Sequence, residues 1–212
     1  IDGGQKATFT GAQLNDEPIA INEDGTGTTT LEISVLSTTP VDFRNLTVAT
    51  FTGNPDDGFD NGGDVIEING NGDDNDITGT DFEDTITGGD GADRLDGGDK
   101  QDRIFADDAD TLVDGGNRLD TMVLASDATF TAQELNSIEI IELADDADVV
   151  VDHSDILGAS NVATVKGVSS GADEKIIVTG ASAGNGTVTL DYSSGLTLTD
   201  TLLEVNGGSD NE

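Results

Sequence analysis

The 212-residue chain has no cysteine and no tryptophan, a single histidine (His153), one tyrosine and only eight lysines and arginines. Without thiols there is no disulfide scaffold, thiolate zinc site, iron–sulfur cluster or cysteine nucleophile. One imidazole and few aromatics leave little material for general acid–base catalysis or an aromatic ligand pocket, so the chain is not expected to be an enzyme. The eight cations face 44 Asp and Glu, for a net charge of −36. Such a chain cannot neutralise phosphates unaided and is repelled by an anionic bilayer, so neither nucleic acid nor direct membrane insertion is expected. No apolar run approaches the roughly 18 residues that span a membrane, and residues 1–13 lack the basic start and apolar stretch of a secretory signal.

A composition with 34% hydrophobic and 4% aromatic residues, at this charge, points by itself to disorder. The 28 glycines and the short alternating runs LEISV and TVTLDY point the other way. Something must offset the charge if the chain is to fold, and bound cations are the natural candidate.

A nine-residue period runs through residues 59–123. Consecutive nonapeptides read GNGDDNDIT (70–78), GTDFEDTIT (79–87), GGDGADRLD (88–96) and GGDKQDRIF (97–105). A copy one residue out of register, ADDADTLVD, starts at Ala106. GGNRLDTMV spans 115–123, and an outlying FDNGGDVIE spans 59–67. The four consecutive copies each have an apolar residue two places after the sixth position, and the apolar register runs Ile77, Ile86, Leu95, Ile104, Leu112 and Met122.

The residue types account for themselves. Paired glycines allow a tight turn with positive φ, the sixth-position carboxylate points into that turn, and the residues around the apolar position form a very short strand. Two nonapeptides then make one coil of a solenoid, and alternate repeats share a side. One column of turn carboxylates is expected from Asp64, Asp84, Asp102 and Asp120, and the other from Asn75, Asp93 and Asp110. Turns stacked at the strand spacing of about 4.8 Å bring like charges together, and two carboxylates about 5 Å apart repel by roughly 1 to 3 kcal/mol. A hard cation between turns reverses that sign, and Ca²⁺ accepts six to eight oxygen ligands from carboxylates and carbonyls.

These nonapeptides resemble the glycine- and aspartate-rich repeats of the repeats-in-toxin (RTX) family, G-G-x-G-x-D-x-U-x with U apolar. The resemblance implies an all-β parallel β-roll binding several calcium ions. Its metal sites would draw on the column residues together with the turn residues Gly88, Gly89, Asp90, Gly91, Gly97, Gly98, Asp99, Gly115 and Gly116. Asn75 in place of Asp, Lys100 in place of the fourth-position Gly, and the glycine-free copy at Ala106 depart from the pattern and place the more secure sites at Asp84, Asp93 and Asp102. An EF-hand reading from Asp56 is rejected, because its sixth position is Asn61 and its third Gly58.

The flanks resemble each other: ATFTGAQLN (7–15) matches ATFTAQELN (128–136), and VIEINGNGDDND (65–76) matches LLEVNGGSDNE (202–212). The expected division is a β-rich flank at 1–58, the calcium block at 59–123, a second flank at 124–205 and the start of a further block at 206–212, as in a section of a longer array. Runs such as IEIIEL, DVVVD and EKIIVTG, separated by turn residues, fit either an irregular parallel β-helix continuing the roll or small immunoglobulin-like sandwiches. Edge pairing favours the former. AQELNSIEIIE can also be read as a helical turn before a strand.

Other constellations carry less. Asp152, His153 and Ser154 are sequence neighbours that a strand would point to opposite faces. Glu139 and Glu142 read as a solvated strand edge. The Thr-x-Thr runs at 8–10, 187–189 and 197–199 reflect β-propensity before ice binding, and Arg94, Lys100, Arg103 and Arg118 read as local charge compensation. The SIEIIEL phrase with its Thr/Val/Gly-rich ladders resembles type I-secreted surface proteins of Gram-negative bacteria, such as S-layer proteins and large adhesins. The expected function is therefore a structural calcium-binding segment at the bacterial cell surface that folds and self-associates on calcium outside the cell. The alternative is the accessory domain of a secreted protease, lipase or epimerase.

Overall fold

The computed structural model describes residues 5–18, 20–22, 28–49, 64–130, 134–144 and 147–152, and the strand segments 164–167, 175–179, 197–199 and 202–206. Nearly all regular structure is β. The long sheet contains, in spatial order, β1 (Lys6–Thr10), β3 (Thr30–Ser34), β6 (Val65–Asn69), β8 (Asp84–Thr87), β10 (Arg103–Ala106), β12 (Thr121–Leu124), β15 (Ile140–Leu143), β17 (Thr164–Gly167) and β19 (Thr197–Thr199). A second sheet orders β14 (Glu134–Asn136), β11 (Leu112–Asp114), β9 (Arg94–Asp96), β7 (Asp76–Thr78) and β4 (Val41–Asp42). A third holds β13 (Ala128–Phe130), β16 (Asp148–Asp152), β18 (Lys175–Thr179) and β20 (Leu202–Asn206), and β2 (Ala20–Asn22) pairs with β5 (Thr47–Ala49).

Every strand pairing among the described residues is parallel. Across the nonapeptides, successive strands alternate between the long sheet and the second sheet. Partners lie 18 residues apart, two nonapeptides per step: Ile68, Ile86, Ile104 and Met122 stack on one side, and Ile77, Leu95 and Val113 on the other. All seven are fully buried. The period-2 alternation of a strand supplies this: TLEIS and VIEIN each turn two side chains inward and three outward.

The flanks join the same sheets. In the long sheet β3 pairs with β6, β12 with β15 and β15 with β17, whereas a small immunoglobulin-like sandwich would be antiparallel. The helical-turn reading of AQELNSIEIIE is corrected: residues 134–136 and 140–143 are strands, with Ile138 buried between them. The similar phrase near the start does contain a helical turn, α1 (Gly11–Leu14), where Gln13 Oε1 accepts the Thr10 N–H at 2.8 Å.

Two register expectations need correction. Val113, not Leu112, fills the core beside Leu95, and Leu112 is half-buried opposite Arg94. The cause is one extra residue at Thr111: the Asp93 carbonyl accepts from both Thr111 N–H (2.8 Å) and Leu112 N–H (3.4 Å), a one-residue bulge. Likewise Ile68, not Ile66, lies opposite Ile86, so the outlying copy is displaced by two residues.

Among the described residues no helix is long and apolar enough to cross a membrane. The stacked core makes a direct prediction. Ile104→Ala should cost about 2 to 5 kcal/mol and Leu112→Ala less than about 1 kcal/mol in chemical denaturation, and a greater loss at Leu112 would contradict the assigned register.

Candidate metal centre

The turns between these strands form two rows. Residues 70–75, 88–93 and 107–111 lead from the long sheet to the second sheet, and residues 79–83, 97–102 and 115–120 lead back. In the nonapeptides that begin at Gly70, Gly79, Gly88, Gly97 and Gly115 the first residue packs directly under the sixth. A Cβ on Gly97 would overlap Asp102 Oδ2, which is why the position is glycine. The next residue, Gly98, turns with φ +103, a backbone that other residues adopt only under strain.

Four of the column side chains, those of Asp93, Asp102, Asp110 and Asp120, reach back to the preceding turn of their own row. Asp102 Oδ1 accepts the Asp84 N–H at 2.8 Å and Asp120 Oδ1 accepts the Asp102 N–H at 2.8 Å. In the other row Asp93 Oδ1 accepts from Asn75 N–H at 2.7 Å and Asp110 Oδ1 from Asp93 N–H at 3.2 Å. The two predicted columns thus exist as ladders of side chain to backbone hydrogen bonds, with two changes of membership.

Asp64 is not in the first column. Ile66 faces Asp84 there, and Asp64 Oδ1 accepts the Thr29 N–H at 2.6 Å instead. At the other end a residue that the sequence reading set aside takes the next place: Glu139 Oε2 accepts the Asp120 N–H at 2.8 Å. Its partner in the supposed solvated edge, Glu142, is ion-paired with Arg103 at 2.8 Å. A signal for Glu139 was present, because it precedes the buried Ile141 by two residues, as Asp102 precedes Ile104 and Asp120 precedes Met122. The spacing rule had been applied only inside the nonapeptides.

Not all column members are alike. Asp84 Oδ2 accepts from Thr80 N–H (2.6 Å) and Thr80 Oγ1 (3.0 Å), so the Thr that replaces the second glycine satisfies it. Asp110 Oδ2 accepts from Asp107 N–H, and Asn75 Oδ1 from Asn71 N–H, both at 2.9 Å. Asp93, Asp102 and Asp120, by contrast, each keep a buried Oδ2 with no hydrogen-bond partner. A buried carboxylate oxygen without a partner is costly unless protonated or bound to a cation.

Burial accordingly pushes the column carboxyls up. Asp110 and Asp120 rise to about 7, with burial as the chief cause. Asp84, Asp93 and Glu139 are raised for the same first reason. Asp102 is raised by burial and then by the neighbouring Asp84 charge. The glycine turn positions lie within these turns as expected, Gly89, Gly91 and Gly116 also with positive φ. Asp90 and Asp99 are exposed, and Asp99 Oδ1 accepts from Asn117 Nδ2 at 2.6 Å.

No group of three or more His, Cys, Asp or Glu gathers as a metal cluster among the described residues. The carboxylates stand in rank, one per turn, so any ion would take most of its ligands from backbone. The donor set still fits one class of ion. It is all oxygen, with no imidazole or thiolate for zinc, and at Gly97 the orphaned Asp102 Oδ2 and the Gly115 carbonyl of the next turn both crowd the place a Cβ would take. Carboxylate plus carbonyl oxygens in a flexible shell suit Ca²⁺ better than Mg²⁺. His153 and Ser154 lie outside the described residues, as does the Asp152 side chain.

Comparison with family models, curated proteins and solved structures finds no match.

The raised carboxyls set the sign of the pH dependence. A carboxyl whose folded pKa lies above its unfolded value stabilises the fold fully below the unfolded pKa, near 3.8, and loses that contribution as pH rises through about 7. In chelator the chain should therefore keep more β structure at pH 5 than at pH 8, followed by circular dichroism. The reverse order would show that these carboxylates are ionised and satisfied without a cation.

Proposed function

We propose that this chain is a structural, calcium-binding segment of a secreted bacterial surface protein, an S-layer lattice or adhesin module. On this reading, two nonapeptides make each coil of a β-roll, and calcium ions lie between stacked turns. The observation that carries the reading is the set of buried, hydrogen-bond-orphaned oxygens on Asp93, Asp102 and Asp120, each in a turn whose first glycine leaves room only for that carboxylate.

A hard divalent cation bound there supplies the positive charge and the oxygen-seeking coordination that the columns lack. The chain's own residues do the rest. The Asp Oδ1 atoms tie each turn to the one before it, and the orphaned Oδ2 atoms and turn carbonyls provide ligands. The stacked Ile, Leu, Val and Met side chains hold the turns in line. The net charge of −36 then opposes folding until cations arrive. The RTX-like nonapeptides and the absence of cysteine support export followed by folding outside the cell, and affinities of about 10⁻⁴ to 10⁻³ M would suit extracellular calcium.

Far-UV circular dichroism at neutral pH tests this. The chain should be largely unfolded in chelator and gain β structure in millimolar Ca²⁺, with Mg²⁺ a poor substitute. A β spectrum indifferent to calcium overturns the reading.

Ion counting by titration calorimetry gives a finer check. Asp102→Ala should lose more ions than Asp64→Ala, because Asp102 joins the turns of Asp84 and Asp120 whereas Asp64 lies outside that column. Equal losses would count against ions lying between turns of one row.

A further inference from the structure

The two rows of turns differ in charge. Residues 70–75, 88–93 and 107–111 contain no Lys or Arg, and Asp73, Asp74, Asp90 and Asp108 are exposed along them. The returning row also holds Asp81, Glu83 and Asp99, but it alone has cations: Lys100 and Arg118 stand at corresponding places in successive turns, 18 residues apart. Both hold positive φ, 82° and 105°, where the other row has Gly91 at the equivalent position with φ +126°. Cations are thus kept in a left-handed backbone that glycine would adopt without strain.

With Gln101 and Glu83 they line a recess of about 270 Å³. Next to Arg118 lies Leu119, one of two large hydrophobic side chains exposed among the described residues, at 57%. Arg118 has no ion pair among the described residues. Arg103, by comparison, does pair with Glu142.

We infer that the row carrying Lys100 and Arg118 is a docking surface for the acidic turn row, Asp90 and Asp108 in particular, of a second copy of this chain. The argument is one of matching pitch as well as sign. Both rows are set by the same parallel strand spacing, about 4.8 Å per step, so a rank of cations on one copy is commensurate with a rank of carboxylates on another. At physiological salt the repulsion between net charges is screened beyond about 8 Å, and contacts across the interface are not. Leu119 supplies an apolar anchor between the charges. Because the two surfaces differ, the contact is heterologous and can propagate from copy to copy.

The inference deepens the surface-array reading and rests on the stacked turns, not on which ion fills the columns. Sedimentation velocity of the full chain in millimolar Ca²⁺, with circular dichroism on the same samples, tests it. The chain should associate reversibly with concentration and dissociate in about 0.5 M salt, where the screening length is only a few Å. The charge-reversed K100E/R118E and D90K/D108K variants should each self-associate about tenfold or more weakly, and an equimolar mixture of the two should associate again. K100N/R118N, whose Asn side chains tolerate positive φ, keeps the turns if the Glu variant does not fold and should show the same loss.

Monomeric wild-type chain at all concentrations overturns the inference, as does undiminished association of K100E/R118E or of K100N/R118N. Failure of the folded, mixed variants to associate overturns it as well. A spectrum and ion count indifferent to calcium overturn the calcium reading alone, since association is read from the same samples.

Discussion

Everything in the central part of this molecule follows from placing one carboxylate per turn inside a stack whose repeat is the strand spacing. Parallel pairing with an 18-residue step puts Asp84, Asp102 and Asp120 above one another and Asp93 above Asn75, and the bulge at Thr111 brings Asp110 onto the second line. Asp93, Asp102, Asp110 and Asp120 each repay part of the cost by accepting a backbone N–H from the neighbouring turn. A carboxylate has two oxygens, however, and the geometry that satisfies the first buries the second against the glycine below. An ionised carboxylate is therefore costly at the second oxygen, which is why burial raises the pKa values of Asp102, Asp110 and Asp120.

The apolar side of the stack is weakly differentiated by comparison. Ile68, Ile86, Ile104 and Met122 occupy equivalent places and each sees nearly the same neighbours above and below. Such a core holds the turns in line but adds little to their selectivity. Distinctions between turns come from polar substitutions, such as Thr80 completing the shell of Asp84 or Asn71 that of Asn75.

Much of this was legible in the sequence because the nine-residue period carries its own phase. Ile77, Ile86, Leu95, Ile104 and Met122 were assigned inward from spacing alone and are buried, and the two rows followed from alternating the repeats. The misses lie where the period breaks. Spacing points to Leu112 where the core holds Val113, because the bulge at Thr111 leaves no trace in composition, and the motif aligns Asp64 with a column from which strand pairing displaces it by two. Glu139 was passed over because it lies past the last nonapeptide, although the carboxylate-x-apolar spacing continues there. That Thr80 satisfies Asp84 through its side chain depends on three-dimensional proximity that no linear pattern encodes.

The hydrogen-bonded steps along the columns are not uniform: 17 residues from Asp93 to Asp110, 18 from Asp84 to Asp102 and from Asp102 to Asp120, and 19 from Asp120 to Glu139. The short step is made up by an extra strand-side residue at Thr111, and the long one is spanned by a side chain one methylene longer. The fold thus has slack at its turns and none in its core. A gene encoding such a repeat can gain a single codon at a turn, as between β12 and β15, without shifting the phase of the strands that follow. That tolerance would let repeats lengthen and drift apart in sequence while neighbouring strands still stack on one another.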